Sequence, residues 1–391
     1  MTNLDRRERD TTTAIADWLI HGARSATTPD QLVAVLCERL VAAGLPLWRG
    51  AVFVRTLHPQ VMGRRFVWRA GEGVKVTQEP YGLLNSDFTG GILTRLFEDG
   101  IPTRCQLDGA TELTAAPLLE ELRHEGATEF VALPLVFADG TIHATTWATR
   151  QRGGFTEAEL AVIEAIVAPF ARVAEIRGLW RTASNLLDTY VGHATGERIL
   201  AGQIRRGDVQ TIEAAIWLSD MRGFTSLADR LPVHALIDLL NRYFDCQIPA
   251  IEAHGGEVLK FMGDGLLAIF PIAGKSVADS CSNALAAAEA ARAAIATLPL
   301  VEGDSVRFGL ALHVGEVQYG NIGGGNRLDF TCIGPAVNLA ARIEKLAGKL
   351  GRAILVSQEF AARCERSLTR VGEFDLAGFS TRQAVFAPGD D

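Results

Sequence analysis

Two aspartates stand where they could hold metal ions against a phosphate chain. Asp220 closes the apolar run Ala214-Ala215-Ile216-Trp217-Leu218-Ser219 and is followed by Met221-Arg222-Gly223-Phe224-Thr225. The run reads as a strand that delivers a carboxylate to its C-terminal end, then a glycine turn into a helix. Asp264 lies in Lys260-Phe261-Met262-Gly263-Asp264-Gly265, which reads as a hairpin turn with the carboxylate at its tip. Two carboxylates on rigid strand ends, beside a glycine turn and a helix start, suit Mg²⁺ and a polyphosphate. The amides of Met221 to Thr225 are expected to cradle phosphate oxygens. An aspartate at a strand end is otherwise a turn or capping residue. For Asp264 alone that plain reading would win, but its occurrence with Asp220 reverses the preference.

A second pair, Asn338 and Arg342, is four residues apart in a stretch of helical periodicity, so both project from one helix face. Arginine stays charged and offers a fork of donors to phosphoryl oxygens, although a helical arginine commonly just pairs with a surface carboxylate.

These motifs, in this order, resemble the catalytic domain of class III adenylate and guanylate cyclases. The resemblance continues through Arg307-Phe308-Gly309-Leu310-Ala311-Leu312-His313-Val314-Gly315-Glu316-Val317, Gly320-Asn321-Ile322-Gly323 and Asp329-Phe330-Thr331-Cys332-Ile333-Gly334-Pro335-Ala336-Val337-Asn338, and covers residues 211–387. It implies a ferredoxin-like βαββαβ core, and two Mg²⁺ per site (Mn²⁺ as substitute) held by Asp220, Met221 and Asp264. Gly223, Phe224 and Thr225 would meet the triphosphate, Asn338 would orient the ribose, and Arg342 would stabilise charge on the α-phosphate. The implied reaction is attack of the ribose 3′-hydroxyl on the α-phosphate, giving a 3′,5′-cyclic nucleotide and pyrophosphate. The implied assembly is a homodimer with two shared active sites.

Base choice falls, by the same resemblance, to Lys260 and Thr331. Adenine offers an acceptor at N1 and a donor at N6, whereas guanine offers a donor at N1 and an acceptor at O6. A lysine can only donate, so it suits adenine, and the threonine hydroxyl can accept from N6. Lys and Thr are the pairing of the threonine-bearing adenylate cyclases, so ATP is the expected substrate. A guanylate cyclase is opposed by Lys260, and a silent nucleotide-binding or dimerisation module by the full set of filled positions. One departure is Leu376-Ala377-Gly378, where many relatives carry a basic residue that reaches the triphosphate. Ile272-Ala273-Gly274-Lys275-Ser276 ends like a P-loop but has Ile269 where the first glycine belongs.

Composition bounds the remainder. The 391 residues, 48% hydrophobic and 21% charged, suit two or three globular domains. A net charge of −8 argues against nucleic acid as a partner. No apolar run approaches the roughly 18 residues of a membrane span, and the first ten residues are too polar for a signal peptide. Six widely spaced cysteines without metal-ligand spacing read as reduced thiols, with Cys332 a small buried apolar residue, and the expected location is cytoplasmic.

The N-terminal half is expected to be a sensor for an unknown small ligand or protein. Residues 10–45 read as two helices split by Thr27-Thr28-Pro29-Asp30, with Leu32, Val35, Leu36, Leu40 and Val41 on one face of the second. Strands are expected over Gly50–Arg55, Arg65–Arg69, Glu129–Phe137 and Thr141–Thr149, with a loop-rich, helix-interrupted middle. A long helix starts near Thr156-Glu157-Ala158-Glu159, a capping box. This pattern is similar to a GAF domain, with a PAS-type sensor as runner-up. In the long helix Ile163, Ile166, Phe170, Val173, Ile176, Trp180, Ala183, Leu187 and Tyr190 step by 3, 4, 3, 3, 4, 3, 4 and 3, a heptad seam with one break. Pro169 just before the break is expected to kink the helix. The expected division is thus a sensor over 1–155, a coiled-coil signalling helix and polar transducer over 156–210, and a cyclase domain over 211–391, an α+β chain overall.

Overall fold

The computed structural model describes residues 3–56, 61–80, 92–108, 116–272, 274, 276–301, 303–325 and 327–389. The chain divides into two compact units, Met1–Leu186 and Leu187–Asp391. No helix among the described residues is long and apolar enough to cross a membrane.

The first unit opens with α1 (Asn3–Ile20) and α2 (Pro29–Ala42), followed by strands β1 (Leu47–Arg55), β2 (Val61–Arg69) and β3 (Gly73–Pro80). Then come α3 (Ile92–Asp99), β4 (Thr103–Gln106), α4 (Pro117–His124), β5 (Glu129–Val136), β6 (Ile142–Thr149) and α5 (Glu157–Val191). The strands form one six-stranded antiparallel sheet in the order β3-β2-β1-β6-β5-β4. The four expected strands are present, but β3 and β4 occupy the stretch expected to be loop-rich, because their polar sequences hide the alternation.

Helix α2 starts on a capping box, with Thr28 as N-cap and Gln31 reaching back. It buries Leu32, Val33, Leu36, Cys37 and Leu40, whereas Val41 is 41% exposed and does not belong to the packed face. The expected box at the head of α5 forms, Thr156 N–H donating to Glu159 Oε2 (2.7 Å) and Glu159 N–H to Thr156 Oγ1 (3.3 Å). Pro169 lies within the continuous helix α5. Ile163, Ile166, Phe170 and Val173 join the first unit's core, while Ile176, Trp180 and Tyr190 are exposed by 58%, 62% and 79%. The seam therefore serves the unit's own core up to Val173 and is bare at these three positions beyond it.

The second unit continues with α6 (His193–Leu200), β7 (Val209–Met221), α7 (Phe224–Arg230), α8 (Val233–Ala253), β8 (Glu257–Met262), β9 (Gly265–Pro271) and α9 (Val277–Ile295). It ends with β10 (Phe308–Gly324), β11 (Arg327–Ile333), α10 (Pro335–Leu350), β12 (Ile354–Ser357), α11 (Gln358–Arg363), β13 (Leu368–Phe374) and β14 (Gln383–Pro388). The sheet order is β13-β14-β12-β10-β7-β9-β8, with β11 paired to β10. Its centre, β10-β7-β9-β8, is antiparallel throughout and crossed by α8 and α9. This is the expected βαββαβ arrangement. Strand β7 is apolar along Ala214–Leu218 because both faces are covered.

The stretch after His193, expected to be a polar transducer, includes α6, which is fastened within this unit. Thr195 Oγ1 and Tyr319 OH both donate to Glu257 Oε1 (3.1 and 2.8 Å), and Arg198 lies over the Tyr319 ring at 4.8 Å. Ser276 in the P-loop look-alike is simply the N-cap of α9, accepting from Asp279 N–H at 2.9 Å. Ala273 and Lys275 of that stretch lie outside the described residues.

Candidate active site

Strand β7 ends at the two residues Asp220 and Met221, and Gly223 then turns the chain with φ +77°, a left-handed conformation that glycine adopts without strain. The hairpin β8–β9 closes on Met262 opposite Gly265, leaving Gly263 and Asp264 as its two-residue loop. Strand β9 pairs with β7 so that Leu266 faces Ser219, which brings the loop beside the end of β7. The two carboxylates meet there. Burial, then the neighbouring Asp264 carboxylate, then the negative charge of Glu344 push the Asp220 carboxyl up to about 7.

Two close carboxylates fit a hard divalent cation, which would neutralise both. No cluster of three or more His, Cys, Asp or Glu forms among the described residues, so further ligands would come from backbone, nucleotide and water. The Met221 side chain is buried, 3% exposed, leaving its backbone carbonyl as the group able to serve. The amide cradle is narrower than its sequence suggests, because Arg222 N–H already donates to Arg307 O at 2.8 Å. Gly223, Phe224 and Thr225, at the start of the short helix α7, are the remaining amides of the turn.

Arg222 and Glu344 are site residues that sequence reading missed. The Arg222 guanidinium crosses to α10, where Nη2 lies 2.8 Å from Glu344 Oε1 and donates to the Glu344 carbonyl (2.8 Å). It fits because Gly309 and Gly348 leave room: a Cβ at 309 would stand 1.5 Å from Nη2, and one at 348 would stand 2.8 Å from Nη1. The glycine at 309, within the apolar start of β10 and paired with Asp220, was the signal available in the sequence. Gly309→Ala should displace Arg222 and strand the Glu344 carboxylate, which is 6% exposed. We expect a stability loss on the order of 3 kcal/mol, read by denaturant unfolding. Unfolding at the wild-type midpoint would show that Arg222 has no packing role.

Lys260, on β8, and Thr331, on β11, are brought to one side of the sheet. Lys260 Nζ stands 3.8 Å from Asp329 Oδ2, and Asp329 and Thr331, two apart on a strand, share a face. The Thr331 hydroxyl is buried and has no hydrogen-bond partner among the described residues. Cys332 is buried, 2% exposed, as its plain reading required. Asn338 and Arg342 are both exposed on α10. Glu344 acts on Asp220 from the same helix, yet Arg342, two residues earlier, points about 200° away around the axis, and Asn338 within about 40° of Arg342. Within one chain, then, the aspartates lie together while Asn338 and Arg342 face outward. Ala377 is exposed and adds no charge.

Comparison with known proteins bears on one stretch of the chain. The family model of the adenylate and guanylate cyclase catalytic domain matches residues 209–386. This stretch is a cyclase catalytic domain. The cyclase domain is similar to the terminal-differentiation specific adenylate cyclase of Dictyostelium discoideum, with 34% identity over 157 residues, 39% of this chain and 7% of the relative. Adenylate cyclase 1 of Rhizobium meliloti is 25% identical over 267 residues, 65% of this chain and 40% of the relative. The chain thus spans well under half the length of these relatives. Among solved structures, the adenylyl cyclase CyaB from P. aeruginosa shares 26% identity, covers 46% of this chain and 94% of its own, and has a TM-score of 0.39.

Proposed function

We propose that the chain is an adenylate cyclase that converts ATP to 3′,5′-cyclic AMP and pyrophosphate as a homodimer, under control of a GAF-like N-terminal sensor. The observation that carries the choice of ATP is the Thr331 hydroxyl, buried without a partner among the described residues, two positions along β11 from the Asp329 that Lys260 approaches. A buried hydroxyl left unbonded is costly, and an adenine N6–H would satisfy it. Lys260 then donates to adenine N1, where guanine would present a second donor. Asp220 and Asp264 hold the metal ions, with the Met221 carbonyl. Bound there, Mg²⁺ supplies Lewis acidity to the 3′-hydroxyl and to the leaving pyrophosphate. Gly223, Phe224 and Thr225 receive phosphate oxygens, Asn338 positions the ribose, and Arg342 stabilises charge on the α-phosphate. Because Asn338 and Arg342 look away from the aspartates of their own chain, they serve the site of a second copy. The six-stranded antiparallel sheet supports the GAF-like reading, and the bare positions Ile176, Trp180 and Tyr190 support a paired signalling helix.

Guanylate cyclase is the competing reading, and Asp329 favours it: its carboxylate could accept from guanine N1–H. Measuring product from ATP and from GTP, with Mg²⁺ and Mn²⁺ compared, separates the two. Lys260→Glu combined with Thr331→Cys should depress ATP turnover by about a hundredfold and shift preference towards GTP. Retained ATP preference in this double variant would remove both residues from the purine pocket.

A further inference from the structure

The first unit contains a cavity of about 350 Å³, walled by β1, β2, β3 and α4 and lined by four cations, Arg49, Arg65, Arg69 and Lys75, against two carboxylates, Glu72 and Glu121. We propose that this cavity binds a small dianionic metabolite, whose carboxylate or phosphate sits on Arg49.

Arg49 is the anomaly. It is 5% exposed, yet its only bond among the described residues is Nη1 to Thr146 Oγ1 at a long 3.4 Å, and its Nε has no partner. Its neighbours have counter-ions: Arg65 pairs with Glu79 at 3.0 Å and Arg69 with Glu125 at 2.9 Å. Arg49 has no ion pair of its own among the described residues. It stands directly opposite Arg69 in the β1–β2 register, and like charges so opposed destabilise a sheet. Burial, then Arg69 and Arg65, pull the Arg49 guanidinium down to about 10, against a smaller opposing effect of Glu121 and Glu125. A buried cation without an ion pair, facing two others, gives the fold little, since an apolar side chain would pack there at lower cost. An oxyanion would bond the orphaned Nε and relieve the repulsion, and a guanidinium presents the matching fork. Lys75, exposed on β3, can take the second charge of a dianion. The volume admits a small metabolite.

The test is titration of the whole protein with succinate and with inorganic phosphate at millimolar concentrations, against chloride, by calorimetry and thermal unfolding. We expect at least one dianion to bind and raise the unfolding temperature, which also tells the carboxylate from the phosphate source. Arg49→Met should abolish that binding while the unliganded variant unfolds no earlier than wild type. Phosphate held elsewhere in the chain would survive this substitution and so be recognised. Lys75→Met, at an exposed position, should weaken binding about tenfold without altering the unliganded protein. Absence of binding by both dianions, or binding that persists in Arg49→Met, overturns the proposal. So does early unfolding of unliganded Arg49→Met together with unchanged affinity in Lys75→Met, which would make Arg49 a structural residue.

Discussion

Asp220→Asn and Asp264→Asn should each lower cyclase turnover by at least about a thousandfold while leaving the fold intact, because what is lost is charge for the metal ions. The pH behaviour makes the prediction sharper. The Asp220 carboxyl stands at about 7, raised chiefly by burial, against an ordinary value near 3.8. A raised carboxyl stabilises the metal-free fold while it is protonated, and that contribution is lost as pH rises through 7. Asparagine mimics the protonated form. Metal-free Asp220→Asn should therefore be at least as stable as wild type at pH 8, with a flatter stability profile between pH 5 and 8. Mg²⁺ should stabilise the wild type increasingly over that interval, as it displaces the proton, and should leave the variant unmoved. Near-wild-type turnover in either variant with Mg²⁺ would refute the metal assignment. Loss of folding in both would instead show that the carboxylates serve the hairpin.

The elements that carry these aspartates were legible because their signals are local. An apolar run followed by a glycine at positive φ marks the end of β7, and glycines around Asp264 mark the β8–β9 loop. The capping boxes at Thr28 and Thr156 are local as well. What sequence concealed is non-local or polar. Strand β3 carries Lys75, Thr77 and Glu79 among its valines, so its alternation is muted, and its identity depends on pairing with β2. Val41 falls within the helical spacing of the α2 face, yet it lies at the end of the helix, where the core no longer covers it. Arg222 and Glu344 are 122 residues apart, and only the packing of α10 against the sheet joins them. The directions of Asn338 and Arg342 relative to the aspartates likewise emerge only when that helix is seated.

Those directions set up the assembly experiment. If Asn338 and Arg342 complete the site of a second copy, Asp220→Ala spoils the metal half and Arg342→Ala the opposing half. Each variant alone should be inactive, since every site in its homodimer lacks one half. In a mixed dimer one site combines both lesions, and the other combines the intact Arg342 of one chain with the intact Asp220 of its partner. Random exchange makes about half of the dimers mixed, each with one working site of two, so recovered activity should approach roughly a quarter of wild type. The assay is cyclic nucleotide production from an equimolar mixture in which subunit exchange has been verified by differential tagging. Activity that scales with the mixed-dimer population locates Asp220 and Arg342 on opposite sides of the interface. No recovery despite exchange would place both residues in one chain's own site, and the outward face of α10 would then need another occupant.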